Sequence, residues 1–75
     1  MKYVGIDLHK KTIVICVVDK ERRVLERKKF LCLDITHMAA WFEKLGEFEF
    51  VVEATATYDW LVQLLEPLAQ RWFRR

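Results

Sequence analysis

The residues best suited to chemistry are two carboxylates near strand ends, Asp7 in Val4-Gly5-Ile6-Asp7-Leu8 and Glu53 in Phe48-Glu49-Phe50-Val51-Val52-Glu53. If these strands lie parallel and adjacent, about 4.8 Å apart, both acids reach the carboxyl edge of one sheet, where open α/β sheets place their ligands. Two carboxylates so placed repel each other, and a divalent cation relieves the repulsion. Oxygen donors suit Mg²⁺ or Mn²⁺ better than zinc. In phosphodiester chemistry, two such ions about 3.5 to 4 Å apart activate the attacking oxygen and stabilise the leaving one. Asp7 and Glu53 are therefore candidate metal ligands. An Asp before a hairpin loop and a Glu ending a strand are also ordinary surface residues, so spacing alone leaves both readings open.

Other polar and aromatic candidates carry less. His9 lies in a basic loop, which favours a solvated or phosphate-contacting role, and His37 falls on the exposed side of a helix. Trp41, Trp60 and Trp72 are expected to pack in or around the core, not to serve as base-stacking platforms. Thr55 and Thr57 read as caps for a second helix. Cys16 and Cys32 lack a CxxC spacing and sit among apolar residues, the setting of buried, reduced thiols.

The elements that must position the acids follow from periodicity. Lys2–Leu8 alternates, with Val4, Ile6 and Leu8 on one face and Tyr3, Gly5 and Asp7 on the other. Thr12–Val18 is almost wholly β-branched, the composition of a strand buried on both faces. His9-Lys10-Lys11 links the two as a hairpin. After a charged turn, Asp19–Arg23, a third strand runs over Val24–Leu31, and its charges at Glu26, Arg27, Lys28 and Lys29 suit a sheet edge. Asp34 is a candidate N-cap for a helix with Ile35, Met38, Ala39, Phe42 and Leu45 at helical spacing, stopped by Gly46. Phe48, Phe50 and Val52 share one face of the next strand, and Glu49, Val51 and Glu53 share the other. A second helix is expected from near Thr57, burying Leu61, Leu64, Leu65, Leu68 and Trp72, with Pro67 kinking or ending it. The order β-β-β-α-β-α, with a right-handed crossover placing the fourth strand parallel to the first, predicts a mixed sheet of order 3-2-1-4 with two helices.

The chain has 75 residues, 53% of them hydrophobic, with two Gly and one Pro, so a single small packed domain over 1–75 is expected and a disordered segment is excluded. It shows neither a signal peptide nor an apolar run near the roughly 20 residues of a membrane span, which predicts a cytoplasmic protein with no membrane partner. Net charge is only +2, but residues 1–33 hold nine Lys/Arg against four Asp/Glu and residues 34–75 hold four against seven. That basic first half suits phosphate contacts and equally suits a solvated strand surface.

The blocks Val4-Gly5-Ile6-Asp7-Leu8-His9-Lys10-Lys11-Thr12 and Val51-Val52-Glu53-Ala54-Thr55-Ala56-Thr57-Tyr58 resemble the amino terminus of the DEDD transposases of insertion sequence family one-ten, the Piv/MooV group. The resemblance extends to about Gln70. It implies an α/β, ribonuclease H-like (RuvC-like) fold in which four acids hold Mg²⁺ or Mn²⁺ for DNA strand cleavage and joining. By it, Asp7 and Glu53 are the first and second catalytic and metal-binding acids, Lys10 and Lys11 lie beside the nucleic acid, and Tyr58 anchors the second helix. DNA, with a guide RNA in some relatives, is the implied partner. Ala56 stands where the family often has glycine. The tail Arg71-Trp72-Phe73-Arg74-Arg75 departs from the family, whose members continue with another strand, a helical segment carrying the last two acids, and a carboxyl-terminal domain with a serine implicated in recombination.

With two of four acids, the chain is expected to be a truncated or frameshifted transposase remnant, or a deliberately shortened one, inactive alone. Its fourth strand, left with an exposed edge, is expected to pair with a second copy in a symmetric homodimer. The competing reading is a non-catalytic nucleic-acid-binding or oligomerisation module. A phosphate-binding domain of the actin-like ATPase type shares the fold, but its glycine-rich phosphate loops are absent and no nucleotide binding is expected.

Overall fold

The computed structural model describes residues 1–75. Strand β1 (Lys2–Leu8) forms the centre of a sheet because it pairs on both sides. The turn His9-Lys10-Lys11 returns the chain antiparallel as β2 (Thr12–Val18), and β3 (Val24–Leu31) pairs antiparallel with β2 at one edge. Helix α1 (Ile35–Lys44) then carries the chain across the sheet. Strand β4 (Phe48–Ala54) runs parallel to β1 on its other side, followed by helix α2 (Asp59–Leu65) and strand β5 (Arg71–Arg74), parallel to β4. The strand order is β3-β2-β1-β4-β5.

The strand alternation is realised as expected for β1 and β4, with Val4, Ile6, Leu8, Phe48, Phe50 and Val52 all buried. Both helices lie against this one face. Met38, Phe42 and Leu45 from α1 and Leu61 and Leu65 from α2 complete a core of fifteen buried residues, all hydrophobic. Rings touch in succession across it, Phe30 to Trp41, Phe42, Phe48, Phe50 and Trp72, linking one sheet edge to the other. Each fully buried Phe of this chain of contacts contributes about 1.5 to 3 kcal/mol.

Four expectations need correction. The sheet has a fifth strand, so β4 is not an edge and the pairing surface expected there for a second copy is occupied by β5. Trp72 accordingly belongs to β5 and not to α2; it stacks on Phe50 with ring centroids 5.8 Å apart and donates its indole N–H to Glu66 at 3.0 Å. Strand β2 is buried on one face only: Ile13, Ile15 and Val17 are in the core, while Val14 is 41% exposed on the other side. β-branched composition reports strand propensity and does not count covered faces.

The fourth correction concerns caps. The Asp34 side chain makes no capping bond; its carboxylate instead pairs with His37 Nδ1 at 2.7 Å. Helix α2 begins at Asp59, two residues past Thr57, but its N-cap position is Tyr58 and neither threonine caps it; Thr55 is occupied elsewhere. The stop signals hold: Gly46 adopts φ +86°, open to glycine without strain, and Pro67 lies past the end of α2. Cys16 and Cys32 are half-buried and unpaired.

Candidate functional site

Asp7 and Glu53 are brought together by the β1–β4 pairing, in which they are direct register partners. Parallel strands are about 4.8 Å apart, so the two side chains leave the sheet side by side from the face opposite the core. Both are open to solvent, with side chains 55% and 60% exposed. Just past them, Thr55 closes the end of the strand pair, donating its backbone N–H to the Leu8 carbonyl at 3.1 Å and its hydroxyl to the same oxygen at 3.4 Å.

Each carboxylate has one cationic or titratable neighbour. His9 Nε2 lies 3.3 Å from Asp7 Oδ1, and Arg75 donates from Nη1 to Glu53 Oε2 at 3.4 Å. Exposed pairs of this kind hold a side chain only loosely, contributing about 0 to 1 kcal/mol. Arg75 reaches Glu53 because its backbone N–H extends the β5 ladder, donating to the Val52 carbonyl at 3.0 Å. The acids and Arg75 share a shallow hollow of ≈ 240 Å³ with Gly5, Val14 and Cys16.

Lys10 and Lys11 are exposed on the turn at the same end of the sheet. That turn is fixed by His9 donating to the Thr12 carbonyl at 2.9 Å and by Cys32 N–H donating to the Lys11 carbonyl at 2.8 Å. The Cys32 thiol donates to the His9 carbonyl at 3.6 Å, and burial pushes its pKa above the ordinary value, which favours the neutral, donating form. One register step beyond Asp7 lies Val14, and beyond that Lys29 on β3, which adds a third cation to this end. At the far side Tyr58 accepts a hydrogen bond from Arg74 Nη1 at 2.9 Å and supplies the carbonyl that starts α2, tying that helix to β5.

As a metal centre the arrangement is a pair of oxygen donors. No group of three or more His, Cys, Asp or Glu side chains is placed to hold an ion. A two-carboxylate set fits Mg²⁺, which commonly takes one or two protein carboxylates and completes its shell with water and substrate phosphate. Sequence reasoning reached the acids and the two lysines but missed Arg75. The signal was available in Arg71-Trp72-Phe73-Arg74, whose two rings point to opposite faces once Pro67 has ended the helix.

No protein-family model matches the chain, and no curated protein matches it in sequence. A solved structure from Bacteroides thetaiotaomicron, described as a protein with actin-like ATPase fold and unknown function, is similar in fold, with a TM-score of 0.76 at 18% identity. The match covers 99% of this chain and 32% of that one, so the chain spans about a third of its neighbour's length. The likeness is one of fold, and the fold named for that neighbour is the actin-like ATPase one.

Proposed function

We propose that this chain is the amino-terminal part of the RuvC-like nuclease domain of a DEDD transposase of insertion sequence family one-ten, acting in DNA transposition. The observation that carries the reading is the register pairing of Asp7 with Glu53 on the open face at the carboxyl end of the sheet. Those two side chains would hold Mg²⁺ or Mn²⁺, whose role when bound is to activate the attacking oxygen and stabilise the leaving one at a DNA phosphate. Lys10 and Lys11 would sit beside the DNA backbone, and His9 and Arg75 would hold the acids in place until the ion arrives.

Two carboxylates are half of the four-acid set, so the chain alone is expected not to turn over DNA. Calorimetric titration with Mg²⁺ should show one weak site, lost in both Asp7→Ala and Glu53→Ala. Absence of any site, or a site indifferent to both substitutions, contradicts the assignment. DNA cleavage by the purified chain that Asp7→Asn abolishes would overturn that expectation.

A second reading, a non-catalytic nucleic-acid-binding module, is favoured by the basic β3 edge, where Arg27, Lys28 and Lys29 are all exposed. A nucleotide-binding role has less support. The two glycines lie inside β1 and after α1, so neither builds a phosphate loop.

A further inference from the structure

The two edges of the sheet are finished differently. Strand β5 is four residues long, and the arginines at that edge are engaged within the chain: Arg71 pairs with Glu49, Arg74 donates to Tyr58 and Arg75 reaches Glu53. Strand β3 is eight residues long, exposed at every position but Phe30, with no strand beyond it. None of Arg27, Lys28 and Lys29 is in an ion pair. The only acid on the strand is Glu26, β2 carries no charge, and the acids of the preceding turn, Asp19 and Glu21, are both held by Arg23.

The outer edge of β3 also has main-chain groups to offer. The Cys32 N–H donates to the Lys11 carbonyl, one step beyond the Thr12–Leu31 register pair. In an antiparallel ladder, residues bonded to the partner strand alternate with residues whose N–H and C=O point away. Lys28 and Phe30 therefore turn to β2, while Arg27 and Lys29 turn both groups outward, joined by the Leu31 N–H; the Leu31 carbonyl is taken by the Asp34 N–H at 3.0 Å. Side chains alternate as well. Arg27 and Lys29, opposite Cys16 and Val14, stand on the open face, and Lys28 stands on the helical face with its ammonium 5.4 Å from the centre of the Phe30 ring.

These positions select among partners. In a symmetric antiparallel pairing of two copies, one residue faces itself across the axis. At every centre from Glu26 to Lys29 that residue is charged, so like charges oppose. An extended segment carrying carboxylates meets the reverse situation. We propose that the outer edge of β3 takes an acidic, extended segment of another protein as an added antiparallel strand, with carboxylates two residues apart opposite Arg27 and Lys29 and an apolar side chain between them, beside the stem of Lys28. Main-chain bonds supply the attachment and the two carboxylate pairs the selection. Neither Asp7, Glu53 nor a metal takes part, so this proposal stands or falls apart from the transposase reading.

The test is fluorescence anisotropy with a labelled, end-blocked peptide of about ten alternating glutamate and valine residues, the length of a long strand. Saturable binding is expected. N-methylation of the glutamates, whose N–H groups face the edge, should abolish it, whereas N-methylation of the valines, whose N–H groups point away, should leave it unchanged. Arg27→Gln combined with Lys29→Gln should weaken it about 2- to 25-fold, the product of two cross-strand charge pairs. Lys44→Gln on α1 and Asp7→Asn beside Glu53 should each leave it unchanged. Indifference to both methylated forms would mean that the cations hold any anion, nucleic acid included, and overturns the proposal, as does absence of binding. A stable homodimer from which the peptide is excluded overturns it in favour of a second copy on this edge.

Discussion

The two faces of the sheet are built from the same strands and differ in what meets them. On one, Val4, Ile6, Leu8, Ile13, Ile15, Val17, Phe48, Phe50 and Val52 are apolar and buried in one core with residues of α1 and α2. On the other, the same strands present Asp7, Glu53, Gly5, Cys16 and Val14, half-buried or exposed, with no helix over them. The difference teaches where stability and chemistry are each located. The covered face holds the chain folded, which leaves the open face free to place two like charges side by side, a costly arrangement that a core could not tolerate.

The sharpest way to break this division is to cut into each face in turn. Phe42→Ala on the covered face should cost about 3 to 5 kcal/mol, a large share of the roughly 4 to 11 kcal/mol expected for a chain of this size, and move the midpoint of a denaturant titration sharply downward. Val14→Ala on the open face should change stability by no more than about 0.5 kcal/mol. Comparable losses would mean that the open face is also packed in solution.

A smaller effect is expected where the faces meet at β5. Trp72→Ala removes the ring stacked on Phe50 and the bond to Glu66, and should cost about 2 kcal/mol while speeding amide exchange across β5 and not β2. Smaller still, Asp7→Asn and Glu53→Gln should each shift stability by about 0.5 kcal/mol or less in the absence of metal, since both acids are exposed. Their effect should appear only in metal binding, a separation that a purely structural role for the acids would not produce.

The smallest effect lies at the far turn. Hydrogen bonding from the Arg23 backbone N–H, helped by the Arg23 guanidinium, holds the Asp19 carboxyl below its ordinary value of 3.8. A depressed folded-state value means that its contribution is complete above 3.8 and is lost as pH falls through the lowered value. Asp19→Asn should therefore lower stability slightly near neutrality and leave it unchanged at the acid extreme, where the Asp19 contribution is already lost, so that the acid limb of the profile flattens, as followed by thermal melts across pH.

Much of this was legible in the sequence because period-two alternation in Lys2–Leu8 and Phe48–Ala54 names the buried face directly, and with it the face that carries Asp7 and Glu53. The stops at Gly46 and Pro67 were legible for the same local reason. What escaped was set by distant partners. Trp72 fits the helical spacing of Leu61, Leu65 and Leu68, yet pairing with β4 makes it part of a strand, and four residues are too few for alternation to declare itself. Arg75 meets Glu53 only through that pairing. The covering of β2 likewise depends on where the helices lie, which its own residues do not record.

The proposed metal site depends most on the β1–β4 register that sets Asp7 beside Glu53. The most direct test is a Mg²⁺ titration followed by amide NMR. Signals around Asp7 and Glu53 should shift together along one saturable curve, and Asp7→Ala should abolish both sets. Shifts confined to one strand, or none at either, would contradict the claim that the sheet assembles these two acids into half of a metal site.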